Sequence, residues 1–361
     1  MHLAVFSAKP HDHRFLDAAN GRGGHTLHYL EARLDRHTAA LAQGRAAVSI
    51  FVNDRADASA LAVLAAGGTR LITLRSTGYN HVDLAAARDL GLTVTHVPDY
   101  SPHAVAEHTI ALLLSLVRHV PQAYSRVREG NFCIDGLLGF DLHGKTAALV
   151  GVGKIGLSTG RILRGFGCRV LAYDPKPNPD AVAAGFVFGP LEQILGEADV
   201  VSLHCPLLPA TRHLINRATL AWVKRGAVLI NTSRGGLIDT RAVLDALGTG
   251  RLSALGIDVY EDEAPLFYED HSGHGLHDEA LARLIGMPNV LVTGHQGFFT
   301  REALQAIART TLAALDDFAA GRACAHILTA PSATSGVAPP PAPHGSAPGF
   351  AVEPAGAATS I

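Results

Sequence analysis

An α/β fold with two parallel sheets is what this sequence predicts, and three observations predict it. Short apolar runs alternate with helical patterns along most of the chain, the rhythm of βαβ units whose helices cover a parallel sheet. At 361 residues, 48% of them hydrophobic, the chain suffices for two domains with sizeable cores. A long helical pattern at 102–128 interrupts the rhythm once, and a second series starts at Lys145.

In the first series, 3–6, 48–51, 71–74 and 93–95 read as strands, with helices over 58–66 and 82–90 between the later three. The second series has strands at 146–150, 169–173, 200–204, 228–231, 254–259 and 290–293. Six strands with intervening helices match a complete dinucleotide-binding sheet. The last helical pattern, 300–320, must pack beyond that sheet. Its return to the first series makes that domain discontinuous and leaves a cleft between the two. The expected domains are therefore 1–100 with 298–330, and 101–297. From Pro331 the composition turns to Pro, Ala, Gly and Ser, which buries too little surface to offset ordering entropy; 331–361 is expected to be a disordered tail.

The most informative stretch is Gly151-Val152-Gly153-Lys154-Ile155-Gly156. An apolar strand precedes it, a helix over 157–166 follows, and the next strand delivers Asp174. Each part has a task in holding a dinucleotide. Gly151 permits the tight turn, Gly153 lets backbone approach a pyrophosphate, and Gly156 packs helix on strand. Lys154 and Ile155 complete the fingerprint, and the N-terminus of the helix that follows offers free N–H groups and partial positive charge to phosphates. Asp174 suits ribose hydroxyls and repels a 2′-phosphate, so the expected cofactor is NAD rather than NADP.

Bulk properties narrow the rest. A net charge of −2 gives no basis for a nucleic-acid or membrane-surface partner. The cysteines, Cys133, Cys168, Cys205 and Cys324, fit neither a disulfide framework nor metal-ligand spacing, and a reducing cytoplasm is the expected setting. No basic-then-apolar leader opens the sequence, and the apolar stretch 110–117 is too short to span a bilayer. His271, His274 and His277, with Asp270 and Asp278, read as a solvated loop because Gly273 and Gly275 oppose helical presentation; no metal is expected. His11 and His13 are read as incidental, and Cys205 as a packing residue rather than a nucleophile.

Three polar clusters end strands of the second series, where open α/β sheets place their ligand crevice. They are Asn231-Thr232-Ser233-Arg234-Gly235-Gly236, Gly256-Ile257-Asp258-Val259-Tyr260-Glu261-Asp262-Glu263, and Thr293-Gly294-His295-Gln296. At these residues the chain resembles the D-isomer-specific 2-hydroxyacid dehydrogenases, over about 45–325. Within that family the phrases Arg75-Ser76-Thr77-Gly78-Tyr79-Asn80, Val97-Pro98-Asp99-Tyr100-Ser101-Pro102 and His204-Cys205-Pro206-Leu207 look most like the bacterial fermentative D-lactate branch. The resemblance implies a flavodoxin-like substrate domain beside a Rossmann NAD-binding domain, and a homodimer formed through the cofactor domain.

It also implies a catalytic set of Arg234, Glu263 and His295, whose chemistry suits reduction of pyruvate. An arginine forks onto a carboxylate and polarises a ketone. A histidine delivers the proton near neutral pH, and a carboxylate beside it stabilises imidazolium and fixes the tautomer. Glu263 fills that place by its count from Asp258, although Glu261 is close; Ala264 stands between Glu263 and Pro265, where the family usually has proline at once. Asp258 is expected on the nicotinamide side, with His204, Cys205, Pro206, Thr232 and Ser233 also lining the cofactor. The resemblance puts the substrate carboxylate on backbone N–H groups at Thr77 and Gly78, a contact to substrate at Tyr100, and a small side-chain pocket at Phe51 and Phe298. Small 2-oxoacids other than pyruvate, such as glyoxylate or hydroxypyruvate, are the nearest alternatives. A non-catalytic NAD-sensing regulator on the same fold is a third.

Overall fold

The computed structural model describes residues 1–329 except 22, 23, 265 and 274; the tail expected from 331 lies outside the described residues. The chain opens with β1 (His2–Val5), α1 (Pro10–Asn20), β2 (Thr26–Tyr29), β3 (Ala47–Ile50), α2 (Ala58–Ala66), β4 (Leu71–Leu74), α3 (Leu84–Asp89) and β5 (Thr93–Thr95). These strands form a parallel sheet in the order β2-β1-β3-β4-β5, the flavodoxin-like order. β3 and β4 are buried along their whole length, as continuous apolar runs covered on both faces must be. Asp57 caps α2 by accepting from Ser59 N–H and Ala60 N–H, so the helix starts where an acid meets orphan donors.

The long helical pattern at 102–128 is two helices, α4 (Pro102–Val117) and α5 (Val120–Arg128). Between them His119 takes a left-handed φ of 52°. Pro121 supplies no N–H for the preceding turn and restricts Val120 before it. Apolar periodicity continued across the break, and so concealed it.

The second body comprises β6 (Thr146–Val150), α6 (Lys154–Gly165), β7 (Arg169–Tyr173), α7 (Pro179–Ala183), β8 (Val187–Phe188), α8 (Leu191–Glu197), β9 (Val200–Leu203), α9 (Arg217–Trp222), β10 (Ala227–Asn231), α10 (Thr240–Gly248), β11 (Leu252–Ile257), α11 (Glu279–Gly286) and β12 (Val290–Val292). The sheet has seven strands in the order β12-β11-β10-β9-β6-β7-β8, one more than the expected six. β8 has two residues, too few for any periodicity to show. The order reverses between β6 and β9, and a crevice opens beyond the carboxyl ends of strands at such a switch point. Register there is tight: Val150 pairs Leu203, and His204 N–H donates to Val150 O at 2.8 Å.

The last helix, α12 (Arg301–Ala319), goes back to the first sheet. Ala308, Leu312 and Leu315 pack with Leu3, Val5 and Leu16 in one apolar cluster. No helix among the described residues is long and apolar enough to cross a membrane.

Under β4, Arg75 is 2% exposed. Its Nη2 donates to Phe6 O at 2.8 Å and Nη1 to Ser49 Oγ at 3.2 Å, while Nε lies 3.0 Å from Asp12 Oδ1. Removing one partner of a buried ion pair strands the other. Arg75→Ala is therefore expected to lower unfolding free energy by about 3 kcal/mol, read as a drop in the urea midpoint at unchanged slope.

Candidate active site

The glycine fingerprint forms the turn from β6 into α6. Gly151 has φ 93°, and a Cβ there would run into the backbone of His204 and Cys205. Gly153 faces open space, and the first N–H groups of α6 have no partner within the helix. An anion fits that cradle. Asp174 sits at the end of β7, accepting from Val152 N–H at 2.8 Å and Lys176 N–H at 2.9 Å. Each oxygen keeps a lone pair, as a diol-binding carboxylate requires. Lys154 Nζ pairs with Asp99 Oδ2 at 2.5 Å, joining the fingerprint to the loop after β5.

The fingerprint opens onto a cavity of about 440 Å³. Thr77, Gly78 and Tyr100 line it from the first sheet; Ile155, His204, Pro206, Thr232, Ser233, Arg234, Asp258 and His295 line it from the second, and Phe298 closes one end. Burial pushes His204 down to about 4, so it is a neutral wall residue, 2.9 Å from Ser202 Oγ. Cys205 lies just behind this wall; burial pushes its thiol up to about 11, which removes a nucleophilic thiolate at neutral pH.

Arg234 is aimed by its own loop. Asn231 Nδ2 donates to Arg234 O at 2.9 Å, Asn231 Oδ1 accepts Ser233 N–H at 3.0 Å, and Ser233 Oγ donates to Cys205 O at 2.7 Å. Its guanidinium then reaches the first body, where a Cβ at Gly78 would collide with it. Glycine at that position is what lets the two loops share one small volume.

His295 Nδ1 lies 2.9 Å from Glu263 Oε1, leaving Nε2 for a reacting group. Its side chain is 16% exposed, and its backbone takes φ 54°, a left-handed conformation that non-glycine residues hold only when neighbours enforce it. Glu263 Oε2 accepts Tyr260 N–H at 3.0 Å. Glu261 faces elsewhere, 2.5 Å from His213 Nε2 and accepting from Thr240 Oγ1 at 3.2 Å. Of the two neighbouring acids, it is Glu263 that meets the histidine.

Asp258 does more inside the protein than a direct contact to nicotinamide would ask. It is 1% exposed; Oδ1 accepts from Thr293 Oγ1 and Gln296 N–H, and Oδ2 from Gly297 N–H. His108 of α4 lies 3.2 Å from Oδ1. Burial opposes its charge, yet the bonds from His108, Thr293 and Gln296 hold its carboxyl below the usual range. Its carboxylate holds the turn that carries His295.

Phe51 lines a second space of about 330 Å³ behind His295, with Phe298 between the two cavities. Tyr268 went unnoticed in the sequence, since it carries no motif. Its hydroxyl donates to His295 O at 3.1 Å, and its ring meets Phe51 edge-on at 5.2 Å. His108 was likewise missed, hidden within a helix that reads as core. His271 Nε2 sits 3.1 Å from Leu266 O, and His274 lies outside the described residues.

Comparison with known proteins gives the family. The family model described as D-isomer specific 2-hydroxyacid dehydrogenase, NAD binding domain, matches residues 110–297. A D-lactate dehydrogenase of Curvularia clavata is 50% identical over 91% of this chain and 95% of its own length. The apo-structure of D-lactate dehydrogenase from Escherichia coli superposes with a TM-score of 0.83 at 44% identity, covering 91% of this chain and 100% of that one. The Aquifex aeolicus D-lactate dehydrogenase, complexed with NAD and lactic acid, does so at 0.82 and 31% identity over 91% and 100%. This chain belongs to the D-isomer-specific 2-hydroxyacid dehydrogenase family and carries that family's NAD-binding domain.

Proposed function

We propose that the protein is an NAD-dependent D-lactate dehydrogenase that reversibly reduces pyruvate, with Arg234, Glu263 and His295 as its catalytic set. The observation that carries this reading is the convergence, on one cavity, of a guanidinium against Gly78 and an imidazole oriented by a carboxylate. The similarity to D-lactate dehydrogenases supports the choice of substrate.

NAD supplies the hydride when bound, and Gly151, Gly153, Lys154, Ile155, Gly156 and Asp174 are the residues that would hold it. The walls at His204, Pro206, Thr232 and Ser233, with Cys205 packed behind them, exclude water from the nicotinamide end. Arg234 and the Thr77–Gly78 backbone grip the carboxylate, and the guanidinium draws electron density from the ketone. His295 Nε2 gives its proton to the ketone oxygen in reduction and takes it back from the hydroxyl in oxidation, while Glu263 stabilises the imidazolium. Asp258 supports this set by holding the His295 turn. Tyr100, Phe51 and Phe298 bound the substrate's side chain. The second space beyond Phe298, which Phe51 lines, favours, as a second reading, a longer 2-oxoacid; turnover across a panel of 2-oxoacids with NADH decides between them.

The substrate domain in this reading is 1–100 with 298–330, and the cofactor domain 101–297. The protein works as a homodimer in the cytoplasm. Phe132, Ile134 and Leu138 support the dimer, being 75%, 80% and 93% exposed beyond α5 on the cofactor side; apolar groups so placed mark association surfaces.

His295→Ala is expected to cut pyruvate reduction by about two to four powers of ten while NADH affinity, read by fluorescence titration, stays near that of the parent; parental turnover would remove His295 from the mechanism. Gly78→Ala displaces only the far end of a flexible side chain, so the protein should melt near the parental temperature. Its KM for pyruvate should nevertheless rise steeply, and an unchanged KM counts against a shared grip by Gly78 and Arg234. Asp174→Ser should narrow the preference for NADH over NADPH, measured as the ratio of catalytic efficiencies.

A further inference from the structure

We propose that Arg33, on the segment between β2 and β3, is a positioning residue for the acid–base pair. Its guanidinium holds the loop that carries Glu263, so the proton donor is correctly assembled only when the two bodies of the chain meet. This inference rests on the reading of Glu263 and His295 as that pair.

Between β11 and α11 the described residues form neither helix nor strand, so Glu263 stands on irregular backbone. Internal bonds shape the loop: Leu266 N–H and Phe267 N–H both donate to Glu263 O at 2.9 Å. They leave open where the loop stands relative to His295, which belongs to a different turn. Arg33 supplies an external reference. Its Nη1 donates to Ala264 O at 2.5 Å, the carbonyl of the residue that follows Glu263. Its Nη2 lies 3.4 Å from Phe267 O and 3.2 Å from Glu269 Oε1, and Lys9 Nζ reaches the same carboxylate at 3.4 Å.

Arginine suits this task because one planar fork serves several acceptors at once, whereas an ammonium is a point donor. The side chain is 30% exposed, so solvent screens the Glu269 ion pair and the carbonyl contacts carry the positioning. Arg33 is itself well anchored. The neighbouring Leu34 N–H donates to Asp54 Oδ1 at 2.6 Å, and Thr38 Oγ1 donates to Arg33 O at 2.5 Å. Asp54, 2% exposed, also accepts from Ser7 Oγ and from Phe51 N–H. A continuous set of bonds thus runs from the carboxyl ends of β1 and β3 through Asp54, Leu34 and Arg33 to Ala264, Glu263 and His295. Tyr268, with φ 69°, straps the same loop to His295 O.

A positioning role predicts a change in how the proton donor titrates, beyond any loss of rate. Other charged groups lining the spaces around His295 are Arg234, Asp258, Lys154 and Asp99 on the main cavity and Lys9, His11 and Asp12 on the second; replacing Arg33 leaves each of these side chains in place, and Lys9 keeps Glu269 as its partner. The test is the pH profile of pyruvate reduction by the full chain, for Arg33→Ala, Arg33→Met, Arg33→Lys and, as reference, Glu263→Gln. Arg33→Met keeps the apolar stem and serves if the alanine variant does not fold. We expect kcat to fall about 10-fold or more, NADH affinity to hold, and the alkaline limb to move to lower pH in the direction set by Glu263→Gln, with Arg33→Lys intermediate. A shifted limb in Glu263→Gln beside a parental limb and kcat in the Arg33 variants overturns the role of Arg33 alone. A parental limb in Glu263→Gln itself overturns the acid–base pair and this inference with it.

Discussion

The buried carboxylate of Asp258 is the constraint on which the site depends. It stands at the end of β11 and gathers the backbone of Gln296 and Gly297 with the side chains of Thr293 and His108. A charge 1% exposed is tolerated only when its lone pairs are satisfied. Meeting that demand forces the turn after β12 into one shape. His295 stands in the middle of that turn with a left-handed backbone, a conformation maintained because the surrounding bonds over-determine it. Through His108 the same carboxylate ties the turn to α4, the helix that follows the first sheet.

The first body uses the same device. Asp54 is buried at the ends of β1 and β3 and collects Ser7, Leu34 and Phe51. Burial raises its pKa, while the hydrogen bonds from Phe51, Leu34 and Ser7 oppose that rise. Two sheets therefore present loops at their carboxyl ends that are held by buried acids rather than by regular structure. Side chains from different loops, His295 and Glu263 among them, can then be brought within hydrogen-bond range of one another, because each loop is stiff.

Close polar contacts join the bodies beside the edge-on packing of Tyr268 on Phe51. The Arg234 guanidinium lies against Gly78, Lys154 pairs with Asp99, and Arg33 holds the Glu263 loop. Exposed ion pairs of the Lys154 kind contribute little to stability. Their value lies in orientation, and they involve the very loops that line the cavity.

The sequence by itself determined the parallel α/β architecture, apart from the short strands β2 and β8, and the cofactor fingerprint; its family resemblance nominated Glu263 and His295 as an acid–base pair. These are properties of local pattern: mostly apolar strands of 4–6 residues at β4, β6 and β11, glycines where backbone must turn or approach, and polar clusters ending strands. The choice between Glu261 and Glu263 rested on family spacing; in the structure Glu263 meets His295 while Glu261 meets His213. Only the tertiary structure decided what depends on residues distant in sequence. The break of the long helical pattern at His119, the short β8, and the role of Asp258 as an internal anchor belong to that class, as do Tyr268, His108 and Arg33. Their side chains have no motif of their own, and the partners that give them meaning lie 27, 185 and 231 residues away. The first two bonds exist only once the second sheet has folded around them, and the third only after both sheets have folded and met.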